Sequence, residues 1–479
     1  MIELLAPAGD IEKLKTALHF GADAVYFAGK SFGLRAFSAN FDHDQLKQAV
    51  DFVHSKNKKA YITVNIFARN SDFDALPDYL KFLQQINADA IIASDIGVIL
   101  SAKKHAPNLK IHLSTQANTT NKHTARFMSD FVDRIILSRE LSLFEIAQIK
   151  DFVPKLELEA FVHGAMCISF SGRCLLSDFI TSQNPPLSGK DKQNQIRRGN
   201  RGECVQACRW PYLVTCDTKS GHDPAIDTNR GSLTLLEDER GSYILNSRDL
   251  NMINHIDKMA AAGITSFKIE GRAKSAYYVA GAVNAYRRAI NVFYDCKPAF
   301  VGQKLVLKTP YICPDILQKS LQMISHRKYT TGFYFDQSFA EGSNLSHIAF
   351  NDKNGQNADL QTDTCLDTKA DRQQDQNLTQ SYDNSRSVGS HDFVAIVLEK
   401  TDDGIIIEQR NRFKAGQALT VLSPNSENGK AITIEKMEAA AGKFTGQQII
   451  DANKVQQKIK IFTKLKLQPN DILVKSDID

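Results

Sequence analysis

Short apolar runs alternate with amphipathic stretches over residues 1–295. Eight of the runs read as strands: Glu3–Ala6, Ala24–Phe27, Ala60–Asn65, Ala90–Ser94, Ile111–Thr115, Arg134–Ser138, Leu156–Phe161 and Ser266–Glu270. They are rich in Ile, Val, Leu and Ala and lack strict alternation, as strands covered on both faces require. Between them the period changes. Leu46, Ala49, Val50 and Val53 fall at helical spacing within Asp44–His54, with Asp42 or Asp44 as the N-cap. Val279, Ala282, Val283, Tyr286, Ala289, Ile290 and Phe293 repeat that spacing over Tyr278–Phe293. Successive βα units predict an α/β fold of the (β/α)8-barrel type. A doubly wound open sheet has the same periodicity and is the alternative.

In a barrel the chemistry sits on the loops after the strands. Those ends carry Pro7 with Gly9, Asn65, Ser94-Asp95, Ser114 with Gln116, Arg139, His163, and Glu270-Gly271-Arg272. Each of these also reads as a turn residue or a helix cap. Lys268, Glu270 and Arg272 alternate, so they share one side of the last strand. At a barrel mouth that makes a polar pocket, where a guanidinium binds carboxylate or phosphate. A salt-bridge layer closing the barrel is the other reading.

The seventh unit breaks the pattern. About a hundred residues intervene before the next βα pair, and a segment of this length is usually functional. Its first part, within an insertion spanning residues 163–245, holds Cys167, Cys174, Cys204 and Cys208. Between the two cysteine pairs, Ser182–Gly202 carries Pro185-Pro186, Lys190, Lys192, Arg197, Arg198 and Arg201 with few apolar residues. It reads as a solvated loop or as a flexible phosphate contact. Residues 296–350 form an extension with mixed signals. Residues 351–390 are too polar to bury a core and read as a disordered linker. Beyond them, runs at Phe393–Leu398, Gly404–Gln409, Ala418–Leu422, Ala431–Ile434, Lys458–Thr463 and Ile472–Lys475 predict a small antiparallel β-barrel over 391–479.

A chain of 479 residues exceeds one ordinary core and divides into two or three domains. The net charge of +5 tolerates a nucleic-acid partner without demanding one. There is no signal-peptide pattern and no apolar run of membrane-spanning length, so a cytoplasmic location without membrane attachment is expected. In that compartment clustered cysteines act as ligands or catalysts. Cys216, Cys296, Cys313 and Cys365 are isolated and read as ordinary thiols. The pairs Cys167/Cys174 and Cys204/Cys208 suit zinc or an iron–sulfur cluster, with a redox dithiol or plain thiols as alternatives. His-Glu-x-x-His is absent. A Cys nucleophile with His163 as its base is a protease arrangement the residues allow.

The segment Glu159, Phe161, Gly164-Ala165-Met166-Cys167, Ser171-Gly172-Arg173-Cys174 and Ser177 resembles the signature of the collagenase-like peptidase family of formerly unassigned catalytic type. Glu3-Leu4-Leu5-Ala6-Pro7-Ala8-Gly9, Gly21-Ala22-Asp23-Ala24-Val25-Tyr26 and Ser266-Phe267-Lys268-Ile269-Glu270-Gly271-Arg272 match as well. With Ala207-Cys208-Arg209-Trp210, the four-cysteine pattern is most similar to the RNA-hydroxylating branch of that family. The resemblance implies oxygen-independent, prephenate-dependent hydroxylation of the tRNA wobble uridine to 5-hydroxyuridine. Peptidase activity and ribosomal RNA hydroxylation are the alternatives. It implies a [4Fe-4S] cluster, ahead of zinc, on Cys167, Cys174, Cys204 and Cys208, and accessory proteins that load it. Prephenate is a dicarboxylate, for which Arg139, Lys268 and Arg272 are the cationic candidates. His163 and Glu270 are the candidates for proton transfer. The anticodon loop is single-stranded, so its target base can be splayed into a pocket.

Overall fold

The computed structural model describes residues 1–34, 40–183, 197–209, 237–238, 241–242, 247–302, 304–335, 348–351, 357–358, 389–442 and 445–476. Trp210, Cys216, Cys365, Lys190, Lys192 and nearly all of the expected linker lie outside these residues.

All eight expected barrel strands are present. They are β1 (Glu3–Pro7), β2 (Ala24–Phe27), β3 (Lys59–Thr63), β4 (Ala90–Ala93), β5 (Lys110–Leu113), β6 (Arg134–Ile136), β7 (Glu157–Ala165) and, after a short β8 (Asp249–Asn251), β9 (Ser266–Ile269). Each of the eight pairs in parallel with its neighbours in order. The ring closes where Ser266, Phe267 and Lys268 of β9 pair with Glu159, Ala160 and Phe161 of β7. Closure decides against the open doubly wound sheet. Helices α1 (Ile11–His19), α2 (His43–Ser55), α3 (Leu76–Gln85), α4 (Ile96–His105), α5 (Lys122–Met128) and α6 (Leu143–Phe152) follow the first six strands. The insertion contributes α7 (Leu176–Gln183), and α8 (Ile256–Ala261) and α9 (Ala276–Asp295) complete the set around the barrel. Local sequence sets their ends. Asp42 caps α2 by accepting from Gln45 N while Gln45 reaches back, a reciprocal capping box. Asp95 accepts from Val98 N and caps α4, so of its two readings the cap is the one formed.

Strand β7 runs four residues past the expected Phe161. Register with β9 slips there, with Lys268 opposite Phe161 but Ile269 opposite His163. The extra residue is a bulge, and a bulge breaks strand alternation. Past it, His163, Gly164 and Ala165 pair antiparallel with β8. The lengthened strand therefore carries the chain out of the barrel and into the insertion. Gly164 holds φ +106°, and a Cβ there would come within 2.5 Å of the Glu270 carbonyl oxygen. Only glycine fits that crossing.

The barrel interior is charged as well as apolar. Glu159 is fully buried and accepts from Lys268 Nζ at 2.7 Å and Arg134 Nη1 at 3.1 Å. Arg134 Nη1 also reaches Glu3 Oε1 at 2.6 Å, and Glu3 accepts from Tyr61 OH at 2.7 Å and Ser266 Oγ at 2.9 Å. Burial alone would raise the Glu3 carboxyl, but Arg134, with Tyr61 and Ser266, more than offsets it and the group sits below its ordinary range. The salt-bridge layer and the polar mouth thus coexist, because Lys268 belongs to both.

The C-terminal part is an antiparallel half-barrel. Its sheet includes the six expected strands, among them His391–Lys400, Gly404–Gln409, Ala418–Leu422, Lys458–Phe462 and Ile472–Ser476, and adds Met437–Ala439 and Gln448–Ile449 at one edge. It docks on α1 and α9. His19 Nε2 meets Asp471 Oδ1 at 2.7 Å, Arg288 Nη2 donates to the Ser423 carbonyl at 3.2 Å, and Tyr277 stacks on Phe393 at 6.0 Å. Among the described residues, no helix is long and apolar enough to cross a membrane.

Truncating Glu159 to Ala strands Lys268 without its carboxylate partner, while Arg134 keeps Glu3 and Glu157, a loss of about 3–5 kcal/mol for a broken buried pair. The barrel's thermal unfolding midpoint should fall by roughly 10 °C. Converting Lys268 to Met in the same chain should restore part of the loss. A Glu159→Ala chain with an unchanged midpoint would show that the layer adds nothing to stability.

Candidate functional site at the barrel mouth

The C-terminal ends of the strands enclose a polar cavity of about 60 Å³. Arg139, Lys268, Glu270 and Arg272 all line it, with Tyr26, Thr63, Asn65, Ser114, Gln116 and Phe161. Three cations separated by up to 133 residues in sequence thus share one wall. Each is held by its neighbours. Arg139 lays its guanidinium 4.3 Å over the Phe161 ring and donates from Nη1 to the Ala165 carbonyl at 2.8 Å. Lys268 Nζ lies 4.5 Å from the centre of the Tyr26 ring while bound to Glu159. Arg272 is buried and donates to Asn40 Oδ1 at 2.6 Å and Thr63 Oγ1 at 3.3 Å. Glu270 is fixed through its backbone: its N donates to the His163 carbonyl at 2.9 Å and its own carbonyl accepts from Tyr278 OH at 3.0 Å.

His163 lies elsewhere. It does not line the cavity. The bulge puts its imidazole, 1% exposed, among the rings of Tyr278, Tyr286 and Tyr329 at 5.4–5.9 Å. Neither ring nitrogen has a hydrogen-bond partner among the described residues. Burial drives its pKa down to about 3, against a pull upward from Asp249. The Cys–His pair of a thiol protease is not formed, since the recorded partner of Cys167 Sγ is Ser169 Oγ at 3.1 Å. Strand alternation alone would have pointed His163 into the mouth, and the bulge is the reason it does not.

The cysteine segment is fastened across the mouth. Ser171 N and Oγ both bond Glu140, after β6, at 2.7 and 2.5 Å. Asn118 Nδ2, after β5, donates to the Phe170 carbonyl at 3.1 Å, and Arg173 Nε donates to the Gln116 carbonyl at 2.9 Å. Arg201 forms a two-pronged ion pair with Asp72, after β3, at 2.5 and 3.0 Å. The second pair joins the first through Asn200 Oδ1, which accepts from Cys174 N at 3.2 Å. Ser171 and Gln206, one inside each cysteine pair, adopt φ +44° and +58°. Such backbone turns cluster at ligand clamps.

The four thiols converge electrostatically. Burial pushes the Cys208 thiol up, Arg209 pulls it down, and Cys167, Cys204 and Cys174 push it up again. Leu176 N donates to Cys174 Sγ at 3.4 Å and Gln206 N to Cys204 Sγ at 3.3 Å. Among the described residues, no three His, Cys, Asp or Glu stand close enough to hold a single metal ion. Tetrahedral zinc at a Zn–S distance of about 2.3 Å would need sulfurs roughly 3.8 Å apart. A four-iron cluster gives each thiolate its own iron, so its ligands stand apart. Four cysteine thiols are a donor set that suits either zinc or an iron–sulfur cluster.

A larger cavity of about 450 Å³ lies at the opposite end of the barrel, lined by Met1, Ile2, Ala260–Thr265, Tyr294 and Phe300. Its one lysine, Lys150, already donates to the Leu156 carbonyl at 2.9 Å. It lacks the convergent polar groups of a reaction site.

Residues 9–344 match the family described as Peptidase family U32, and residues 389–473 match the Peptidase family U32 C-terminal domain. The chain belongs to peptidase family U32. Its relatives in that family carry different names. The tRNA hydroxylation protein P1 of Bacillus subtilis is 34% identical over 435 residues, covering 89% of this chain and 84% of the relative. The tRNA hydroxylation protein P of Escherichia coli is 32% identical over 471 residues, covering 92% and 90%. A relative named Collagenase from Porphyromonas gingivalis is 31% identical over 350 residues, covering 71% and 75%. The two matched blocks of this U32 chain correspond to the barrel with its insertion and to the half-barrel.

Because His163 is neutral in the folded chain and titrates near its ordinary 6.5 when unfolded, the unfolded state binds the extra proton below that pH. Its contribution to stability is complete above about pH 6.5 and is lost as the pH falls toward 3. Replacing His163 with Phe should flatten the fall in unfolding midpoint between pH 6.5 and 4. An unchanged slope would place the acid sensitivity in other groups.

Proposed function

We propose that this chain is an RNA hydroxylase that converts the wobble uridine of tRNA to 5-hydroxyuridine, in a prephenate-dependent reaction without molecular oxygen. The carrying observation is the gathering of four thiols on a segment fastened over a mouth that presents Arg139, Lys268 and Arg272. The names of the relatives that match nearly full length, tRNA hydroxylation proteins, point to the same chemistry. The thiols Cys167, Cys174, Cys204 and Cys208 would hold a [4Fe-4S] cluster. A cluster held there would supply electron transfer, the chemistry that hydroxylation of a C5–H bond without molecular oxygen calls for.

The chain's own residues bind and orient. The three cations suit the two carboxylates of prephenate and the phosphates of an anticodon loop. Phe161 and Tyr26, flanked by those cations, form an apolar floor on which a planar base rests. Glu270 is the carboxylate of the cavity wall and replaces His163 as the leading proton-transfer group. The buried, unpaired His163 weighs against a peptidase built on a thiol and its base.

Chain prepared without air should carry about four irons with a broad visible band from thiolate-to-iron charge transfer. Cys174→Ser should lose both. Iron-free native chain under those conditions would remove the cluster. Independently, tRNA from cells deleted for the gene should lack nucleosides derived from 5-hydroxyuridine by mass spectrometry. Normal levels in that strain would overturn the hydroxylase reading.

A further inference from the structure

The mouth contains a row of side-chain amides whose direction is set by one backbone N–H. Leu34 N donates to Asn65 Oδ1 at 3.2 Å. A backbone N–H can only donate, so this bond decides which end of the Asn65 amide is oxygen. Asn65 Nδ2 in turn donates to Gln116 Oε1 at 3.2 Å, and Ser114 Oγ donates to that same oxygen. Both acceptor positions of Gln116 Oε1 are then filled. The end left over is Nε2, with two hydrogens and no hydrogen bond to any described residue. Asn65, Ser114 and Gln116 all line the mouth cavity. Gln116 Nε2 also lies beside the cysteine segment, where a Cβ on Gly172 would stand 3.8 Å from it. The free donor therefore sits between the cationic wall and the thiols.

We propose that Gln116 reads the target base, presenting a fixed N–H donor to the C4 carbonyl of uracil and so rejecting cytosine, with Asn65 as the positioning residue. The proposal rests on the RNA hydroxylase reading and names its specificity device. Uracil and cytosine share the C2 carbonyl and the C5–H that is replaced. They differ at C4, where uracil accepts and cytosine donates. A free glutamine amide can turn and meet either base. Here it cannot turn without setting Nε2 against the Asn65 donor, and Asn65 cannot turn without setting its own donor against Leu34 N. A splayed base is read along this edge, and a mismatched donor is worth about ten- to hundredfold in discrimination.

The test uses anticodon stem-loops that differ only in uridine or cytidine at the target position. Affinity and hydroxylation are both measured, on native chain and on two variants of the full-length protein. Native chain should favour uridine by about tenfold or more. Gln116→Glu puts an acceptor where the donor stood and should shift the preference toward cytidine. Asn65→Asp should do the same through Gln116: a carboxylate only accepts, so Nε2 turns to it and Oε1 faces the base. A merely structural role would weaken both substrates equally and leave their ratio alone. If one variant fails to fold, as its unfolding midpoint reports, the other decides. Preference for uridine retained in the folded variants overturns the inference and leaves the hydroxylase reading standing. Native chain that neither binds nor modifies either stem-loop overturns both.

Discussion

Glu159 and Lys268 face each other across the seam where the barrel closes. One side chain comes from β7 and the other from β9, and their 2.7 Å contact is buried at both ends. A parallel ring can close only if its last strand finds the first and the seventh together. This pair specifies the match in a way that interchangeable Val and Ile side chains cannot. It is expensive in isolation, since two ions leave water. Arg134, Glu3, Tyr61 and Ser266 supply the further bonds that such a burial requires. Because the pair lies one layer below the mouth, it also sets the height at which the Lys268 ammonium meets Tyr26 and the cavity above.

The mouth is then built downward from the loops rather than upward from the strands. Three separate loops, after β3, β5 and β6, each grip the cysteine segment through a different chemistry: an ion pair at Asp72, amide and carbonyl contacts at Asn118 and Gln116, and a carboxylate at Glu140. The cysteine segment gains its position from these bonds. Left-handed turns lie inside each cysteine pair, one at Ser171 and one at Gln206. Their cost of order 1–3 kcal/mol each is tolerated where the surroundings over-determine the backbone.

Much of this was legible in the sequence, and what was not has a physical cause. Period marked all eight barrel strands and the six expected strands of the C-terminal sheet, because burial on two faces or one leaves a direct trace in residue type. Alternation correctly put Lys268, Glu270 and Arg272 on one wall. The same rule failed at His163, because a bulge adds a residue that no composition announces. Barrel closure was equally silent, since an open sheet uses the same strands. The cysteine spacing suggested ligands but could not say that Asn200 and Arg201 bring the second pair to the first, for those contacts span a loop of about twenty-five residues or reach back to Asp72. Gln116 stood in the sequence only as a polar residue after a strand. Its meaning comes from its neighbours' donors.

That last point separates two kinds of specificity in the site. The cations recognise charge, and charge tolerates sliding: a carboxylate or phosphate can shift by an ångström against Arg139 or Lys268 and lose little. A hydrogen-bonded amide whose own oxygen is saturated tolerates neither sliding nor rotation, because its alternatives leave donors facing donors. A protein that binds many similar anionic loops and modifies one base has reason to keep the two apart. Under the proposed function, affinity would reside in the cationic wall and discrimination in the Leu34–Asn65–Gln116 relay, and each could change in evolution without the other. The relay begins at a main-chain N–H, the one donor in the series that no side-chain substitution can reverse.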